Sequence, residues 1–127
     1  MAERASASPS TSRPAIRRRW KRAEREVAAH LGGVRVPVNG RGFAPDVDHP
    51  LLSLEIKQTS SPPQRIEKAV CQAERASEWC RRKQGVEKLP VAVIHQAGRP
   101  MGKSLVVMRL EDFEAWFRSG GEARRAE

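Results

Sequence analysis

Two kinds of hydrophobic spacing run through the chain. In "AIRRRWKRAEREVAAHLGG", Ile16, Trp20, Ala23, Val27, Ala28 and Leu31 recur at intervals of three and four, which places one apolar stripe on a helix. Pro14 suits its first turn, and Gly32-Gly33 ends it. "VRVPV" (34–38) reads as a strand, with Pro37 pushing it toward a sheet edge. "NGRGFAP" (39–45) is a loop, and "DVDHPLLSLEIKQ" (46–58) alternates as a tight hairpin turning near His49-Pro50. After "SSPP" the helical spacing returns over 64–84, with Ile66, Ala69, Val70, Ala73, Ser77 and Cys80 on one face. "LPVAVIHQ" (89–96) has the continuous apolar run of a buried strand, and "SLVVMRL" (104–110) is a second strand after a turn at 97–103. "EDFEAWF" (111–117) opens a short helix, with Glu111 and Asp112 favourable near its start.

The predicted order is helix, three strands, helix, two strands, helix (αβββαββα). It implies an α/β fold of the α+β kind, a central mixed sheet flanked by helices. With 127 residues there is room for one domain. Its expected bounds are 14–118, between a flexible basic arm over 1–13, rich in Ser, Ala and Pro, and a frayed, disordered tail over 119–127.

Composition narrows the classes. The hydrophobic fraction is 39% and the charged fraction 31%, so a folded core is expected and disorder throughout is not. No apolar run reaches bilayer length, and the first residues lack the apolar core of a signal peptide, so a cytoplasmic location without membrane attachment is expected. Cys71 and Cys80, on one helix, stand about 180° apart, which disfavours a disulfide between them. The net charge is +9. Much of the excess sits early, where Arg4, Arg13, Arg17, Arg18, Arg19, Lys21, Arg22 and Arg25 face only Glu3 and Glu24. Such a field attracts a polyanion, and nucleic acid is the commonest.

The hairpin carries the candidate chemistry. With its turn at His49-Pro50, Asp46 lies opposite Ser53 and Glu55 is one diagonal step away. Period-two geometry gathers Asp46, Ser53, Glu55 and Lys57 on one face, and Val47, Leu52, Leu54 and Ile56 on the other. Asp48 has the same parity as Asp46. Adjacent carboxylates repel unless compensated, and a hard divalent cation such as Mg²⁺ resolves the conflict. Lys57 beside them suits orientation or deprotonation of a water, or stabilisation of charge on a phosphate.

"PD" (45–46), eight residues, then "EIK" (55–57) resembles the PD-(D/E)xK nuclease signature. With "AERE" (23–26) on the first helix, the chain looks like the archaeal-type Holliday junction resolvases, including versions carried by phages. The resemblance spans roughly residues 16–96. It implies a restriction-endonuclease-like core and a DNA recombination nuclease. Glu24, Asp46 and Glu55 would hold Mg²⁺ (or Mn²⁺) with the Ile56 carbonyl, and Lys57 would serve the attacking water. Gln72 on the following helix would assist, with Lys68 one turn earlier on the same side. Glu24 and Glu26 lie about 200° apart on the helix, so only one faces a given site; the family position favours Glu24. The resemblance further implies four-way junction DNA as substrate, a homodimer making paired cuts, and the host cytoplasm for a phage-encoded chain.

Arg17, Arg18, Lys21 and Arg25 on the first helix, Arg41 in the Gly-flanked loop and Lys68 are candidate DNA contacts. His30, His49 and His95 match no metal-ligand spacing, and Trp20, Trp79 and Trp116 suit packing better than base stacking. Two other readings stand beside the resolvase: a nicking, restriction-like or repair nuclease with the same metal chemistry, and a non-catalytic nucleic-acid-binding module whose acids are surface residues.

Overall fold

The computed structural model describes residues 13–37 and 44–126, with side chains over 19–37 and 44–120. The expected arm, apart from Arg13, lies outside the described residues, as do 38–43 with Arg41. The chain is a mixed α+β protein whose described residues form three α-helices and two small antiparallel sheets. It divides into two compact units between Gln58 and Thr59, where one domain over 14–118 was expected.

In the first unit, α1 (Arg13–Leu31) packs on β1 (Val34–Arg35) and β2 (Val47–Asp48), and β2 also pairs with β3 (Ser53–Leu54). The strand order is β1-β2-β3, so the Pro37-bearing segment is at the edge, as its missing N–H requires. The apolar stripe of α1 does the packing: Ala28 and Leu31 are buried. Trp20 departs from the expectation and is 53% exposed. Val47 has no exposed surface, and burying such a side chain contributes about 1.5–3 kcal/mol.

The hairpin register differs from the expected one by a shift that preserves parity. Asp48, not Asp46, faces Ser53, and Val47 faces Leu54. The loop between is set by the Leu51 N–H, which donates to His49 Nδ1 at 3.0 Å. Val47 faces Leu54 where a turn centred on His49-Pro50 would set it against Leu52, so the apolar face is the same in both registers.

Gly32 ends α1 in a left-handed conformation (φ 80°), and the Gly32 and Gly33 N–H groups both donate to the Ala28 carbonyl. Gly33 is required for a different reason. A Cβ there would stand 2.7 Å from both the Asp48 carbonyl oxygen and Val47 Cγ1. Gly33→Ala is therefore expected to cost about 1–3 kcal/mol, because the backbone of β2 must move. Urea unfolding checks this; an unchanged midpoint would show that β2 is free to shift.

In the second unit, α2 (Gln64–Gln84) packs on β4 (Ala92–Ile94), which pairs with β5 (Leu105–Val107) ahead of α3 (Leu110–Ala126). Val70 and Ala92 are buried between helix and sheet. Where one central sheet was expected, β4 and β5 make a sheet of their own among the described residues. For that reason β4 is not a fully buried strand. Val93 and Val106, opposite each other, are 58% and 61% exposed on the face away from Ala92. Arg109 ties the start of α3 to α2, donating to Glu67 Oε1 at 2.8 Å and Glu74 Oε1 at 3.3 Å. These bonds raise its pKa above the ordinary guanidinium range. The expected tail over 119–127 is helical through Ala126, consistent with the good helix formers after Gly121. Cys71 and Cys80 are free and partly buried, and Trp79 and Trp116 are about half exposed.

Candidate functional site

One cavity of the first unit, about 230 Å³, is lined by Trp20, Glu24, Asp46, Glu55, Ile56, Lys57 and Gln58. The residues come from α1, from the turn entering β2 and from the segment leaving β3. Five of them, Glu24, Asp46, Glu55, Ile56 and Lys57, are the residues that the family resemblance assigns to a metal site.

Asp46 stands just before β2. Its N–H donates to the Leu54 carbonyl at 2.8 Å, and its own carbonyl accepts from the Val36 N–H at 2.9 Å. Its Oδ2 accepts from the Ile56 N–H at 2.8 Å. The carboxylate thus takes the place of a strand carbonyl and continues the ladder past β3. This orients Asp46 and fixes the backbone from which the Ile56 carbonyl projects. Asp48, of the same parity, is exposed and does not line the cavity.

Glu24 is 9% exposed, whereas Glu26 is exposed on the other side of α1 and pairs with Arg22 at 3.1 Å. Glu24 Oε2 accepts from Arg35 Nε at 2.6 Å, with both side chains largely removed from water. Arg35 was not anticipated. It is opposite Val47 in the register, so it lies on the face that packs against α1. A charge there requires a partner, and Glu24 supplies it. An arginine between Val34 and Val36 was the available signal, but its meaning depended on which face of β1 is covered. Trp20 and Gln58 were also missed as lining residues.

Lys57 Nζ is 3.2 Å from Glu55 Oε1, in an exposed pair. Each carboxylate of the cavity therefore has a local cation or N–H on one oxygen. Among the described residues, no three His, Cys, Asp or Glu side chains are drawn together as a ready metal-ligand group. The arrangement offers oxygen donors and a primary amine around an open, polar space.

Of the expected nucleic-acid contacts, Lys21 and Arg25 are exposed on α1. Arg17 and Arg18 lie in α1 with side chains outside those described. Lys68 and Gln72 are exposed on α2, in the second unit. Among the described residues no helix is long and apolar enough to cross a membrane.

Compared with models of known protein families, with curated proteins and with solved structures, the chain gives no match.

Proposed function

We propose that the chain is a metal-dependent DNA endonuclease of the PD-(D/E)xK kind, acting on branched DNA and most specifically on four-way junctions. One observation carries this reading: Glu24, Asp46, Glu55, Ile56 and Lys57 line a single cavity, although they come from separated parts of the sequence. The donor set fits a hard divalent cation. In their contacts with Arg35, the Ile56 N–H and Lys57, the carboxylates of Glu24, Asp46 and Glu55 each use one oxygen, and a carboxylate has two. Those carboxylates and the Ile56 carbonyl would hold Mg²⁺, or Mn²⁺ in its place. Bound there, the ion supplies a more acidic water and neutralises charge on the scissile phosphate.

The chain's own residues do the rest. Lys57, beside Glu55, orients the attacking water and donates hydrogen bonds to the charge that develops on the phosphate oxygens. The water oxygen bonds to phosphorus, the bond to the 3′-oxygen breaks, and that oxygen takes a proton, leaving a 5′-phosphate and a 3′-hydroxyl. Lys21 and Arg25 contact backbone phosphates without reading bases. A homodimer would present two such sites for paired cuts across a junction.

The test is a cleavage panel. Labelled four-way junction, nicked duplex, plain duplex and single strand are incubated with the protein in Mg²⁺ or EDTA. Symmetric Mg²⁺-dependent cuts confined to the junction are expected. Cuts in other DNA would keep the metal site and remove the junction assignment. The pairing of every cavity carboxylate favours one second reading, a binding module in which these acids only hold the fold. Binding without cutting at any Mg²⁺ or Mn²⁺ concentration would establish it.

A further inference from the structure

The outward side of α2 bears a line of exposed side chains, of which the family resemblance singles out only Lys68 and Gln72. Arg65, Lys68, Gln72, Arg75, Trp79 and Arg82 recur at alternating steps of three and four. At about 100° per residue they fall within one arc roughly 100° wide. All six are exposed. The buried side, centred on Ile66, Val70, Ala73 and Ser77, lies roughly opposite.

This arc is free of acids. The glutamates of α2 stand to one side of it, where Glu67 and Glu74 hold Arg109 and Glu78 holds Arg81 at 2.5 Å. Arg82 reaches Glu78 only at 3.7 Å. Among the described residues Arg65, Lys68 and Arg75 have no ion-pair partner. A solvated helix normally intersperses the two signs on its outer face. Here the sorting of acids to one side leaves a row of cations that repel one another unless an anion is present.

From Arg65 to Arg82 the row is about 26 Å long. A DNA strand places one phosphate about every 3.4 Å along the duplex axis, so the row spans roughly seven or eight phosphates. Lys and Arg stems are long enough to reach those phosphates on either side of the helix line. Trp79, 51% exposed toward the Arg82 end of the row, offers a flat apolar surface to the sugar edges between them.

We infer that this face of α2 is a second nucleic-acid surface, separate from the cavity, which docks along the phosphate backbone of duplex DNA through Arg65, Lys68, Arg75 and Arg82. The choice of DNA rests on the proposed function; the charge row itself does not. Its contribution is sequence-independent affinity, which lets the second unit grip a duplex arm.

The experiment measures binding of the full chain to a labelled four-way junction by fluorescence anisotropy, in EDTA, across a range of salt concentrations. Each phosphate neutralised contributes about −0.9 to the slope of log K against log salt. Lys68→Ala/Arg75→Ala removes two exposed cations and is expected to make the slope shallower by about 1.8. Arg81→Ala/Lys88→Ala removes the same charge from the same unit outside the row and is expected to leave the slope nearly unchanged. Circular dichroism melting establishes that both variants fold. An unchanged slope in the first variant would overturn the inference. So would an equal change in the second, since that would be a net-charge effect. Tighter binding of duplex RNA than duplex DNA, with the slope change reproduced on RNA, would overturn the assignment to DNA. Because no divalent ion is present, the result is independent of cleavage. A chain that cuts no DNA but shows the slope change keeps this surface and loses the nuclease reading. A chain that cuts junctions with an unchanged slope keeps the nuclease reading and loses this surface.

Discussion

Glu55→Ala and Lys57→Ala proteins are expected to bind a four-way junction about as tightly as the unaltered chain and to cut it at least about 100-fold more slowly. Both side chains are exposed, at 58% for Glu55 and 84% for Lys57, so neither substitution opens the core. Their loss is therefore expected to leave the melting temperature within about a degree or two, as for most surface changes. What is lost is chemical. Glu55 is one of the three carboxylates of the cavity, and Lys57 is its amine. Removing Glu55 takes a negative charge from a site meant to receive a phosphate, so binding survives or tightens as cleavage falls. A merely electrostatic surface predicts the opposite pairing: Lys57→Ala weakens binding and no metal-dependent activity exists to lose. Gel assays of binding and cutting on the same samples separate the two. Wild-type cleavage by either variant would remove the cavity from the mechanism.

Arg35→Ala is expected to be the most destabilising single change in the first unit, at about 3 kcal/mol. It strands the carboxylate of Glu24, which has 12% of its side chain exposed and a single strong partner 2.6 Å away. Removing both charges should cost much less than the sum of the separate changes. Glu24→Gln/Arg35→Ala is thus expected to recover a large part of the stability lost in Arg35→Ala, because the unpaired buried charge is gone. Arg35→Lys should be intermediate, since an ammonium keeps the charge without the planar fork. Urea unfolding of the unaltered chain, Glu24→Gln, Arg35→Ala and the double variant closes the cycle. If the double variant is as unstable as the two single losses added together, Arg35 acts through packing alone. The pair also bears on function: Arg35 takes one oxygen of Glu24 from behind, and Glu24 itself lines the cavity.

The legible parts of this chain were those whose causes are local. The helix over 64–84 spans what its apolar spacing indicates, starting just after Pro62-Pro63, because a periodic face and a proline act within a few residues. Alternation in 46–58 identified which hairpin residues share a face, and a shift of the register that preserved parity left that unchanged. This is why Asp46, Glu55 and Lys57 line one cavity even though the expected partner of Asp46 was wrong. Glu24 over Glu26 needed more than spacing; burial of one and exposure of the other separates them.

Non-local pairing was not legible. Five strands do not state whether they join one sheet, and among the described residues β4 and β5 pair with each other alone, leaving Val93 and Val106 open where a buried strand was expected. Nothing along the chain states which face of β1 is covered, and the position of Arg35 opposite Val47 places it on that face. Trp20 belongs to an apolar stripe by spacing, yet it is 53% exposed and lines the open cavity. The sequence by itself determined the order of helices and strands, the ends of α1 and α2 and the faces of the hairpin, because backbone propensity and side-chain period operate along the chain. Only the tertiary structure decided the strand partners, the exposed faces and the Glu24–Arg35 pair, because those depend on which distant segment covers which surface.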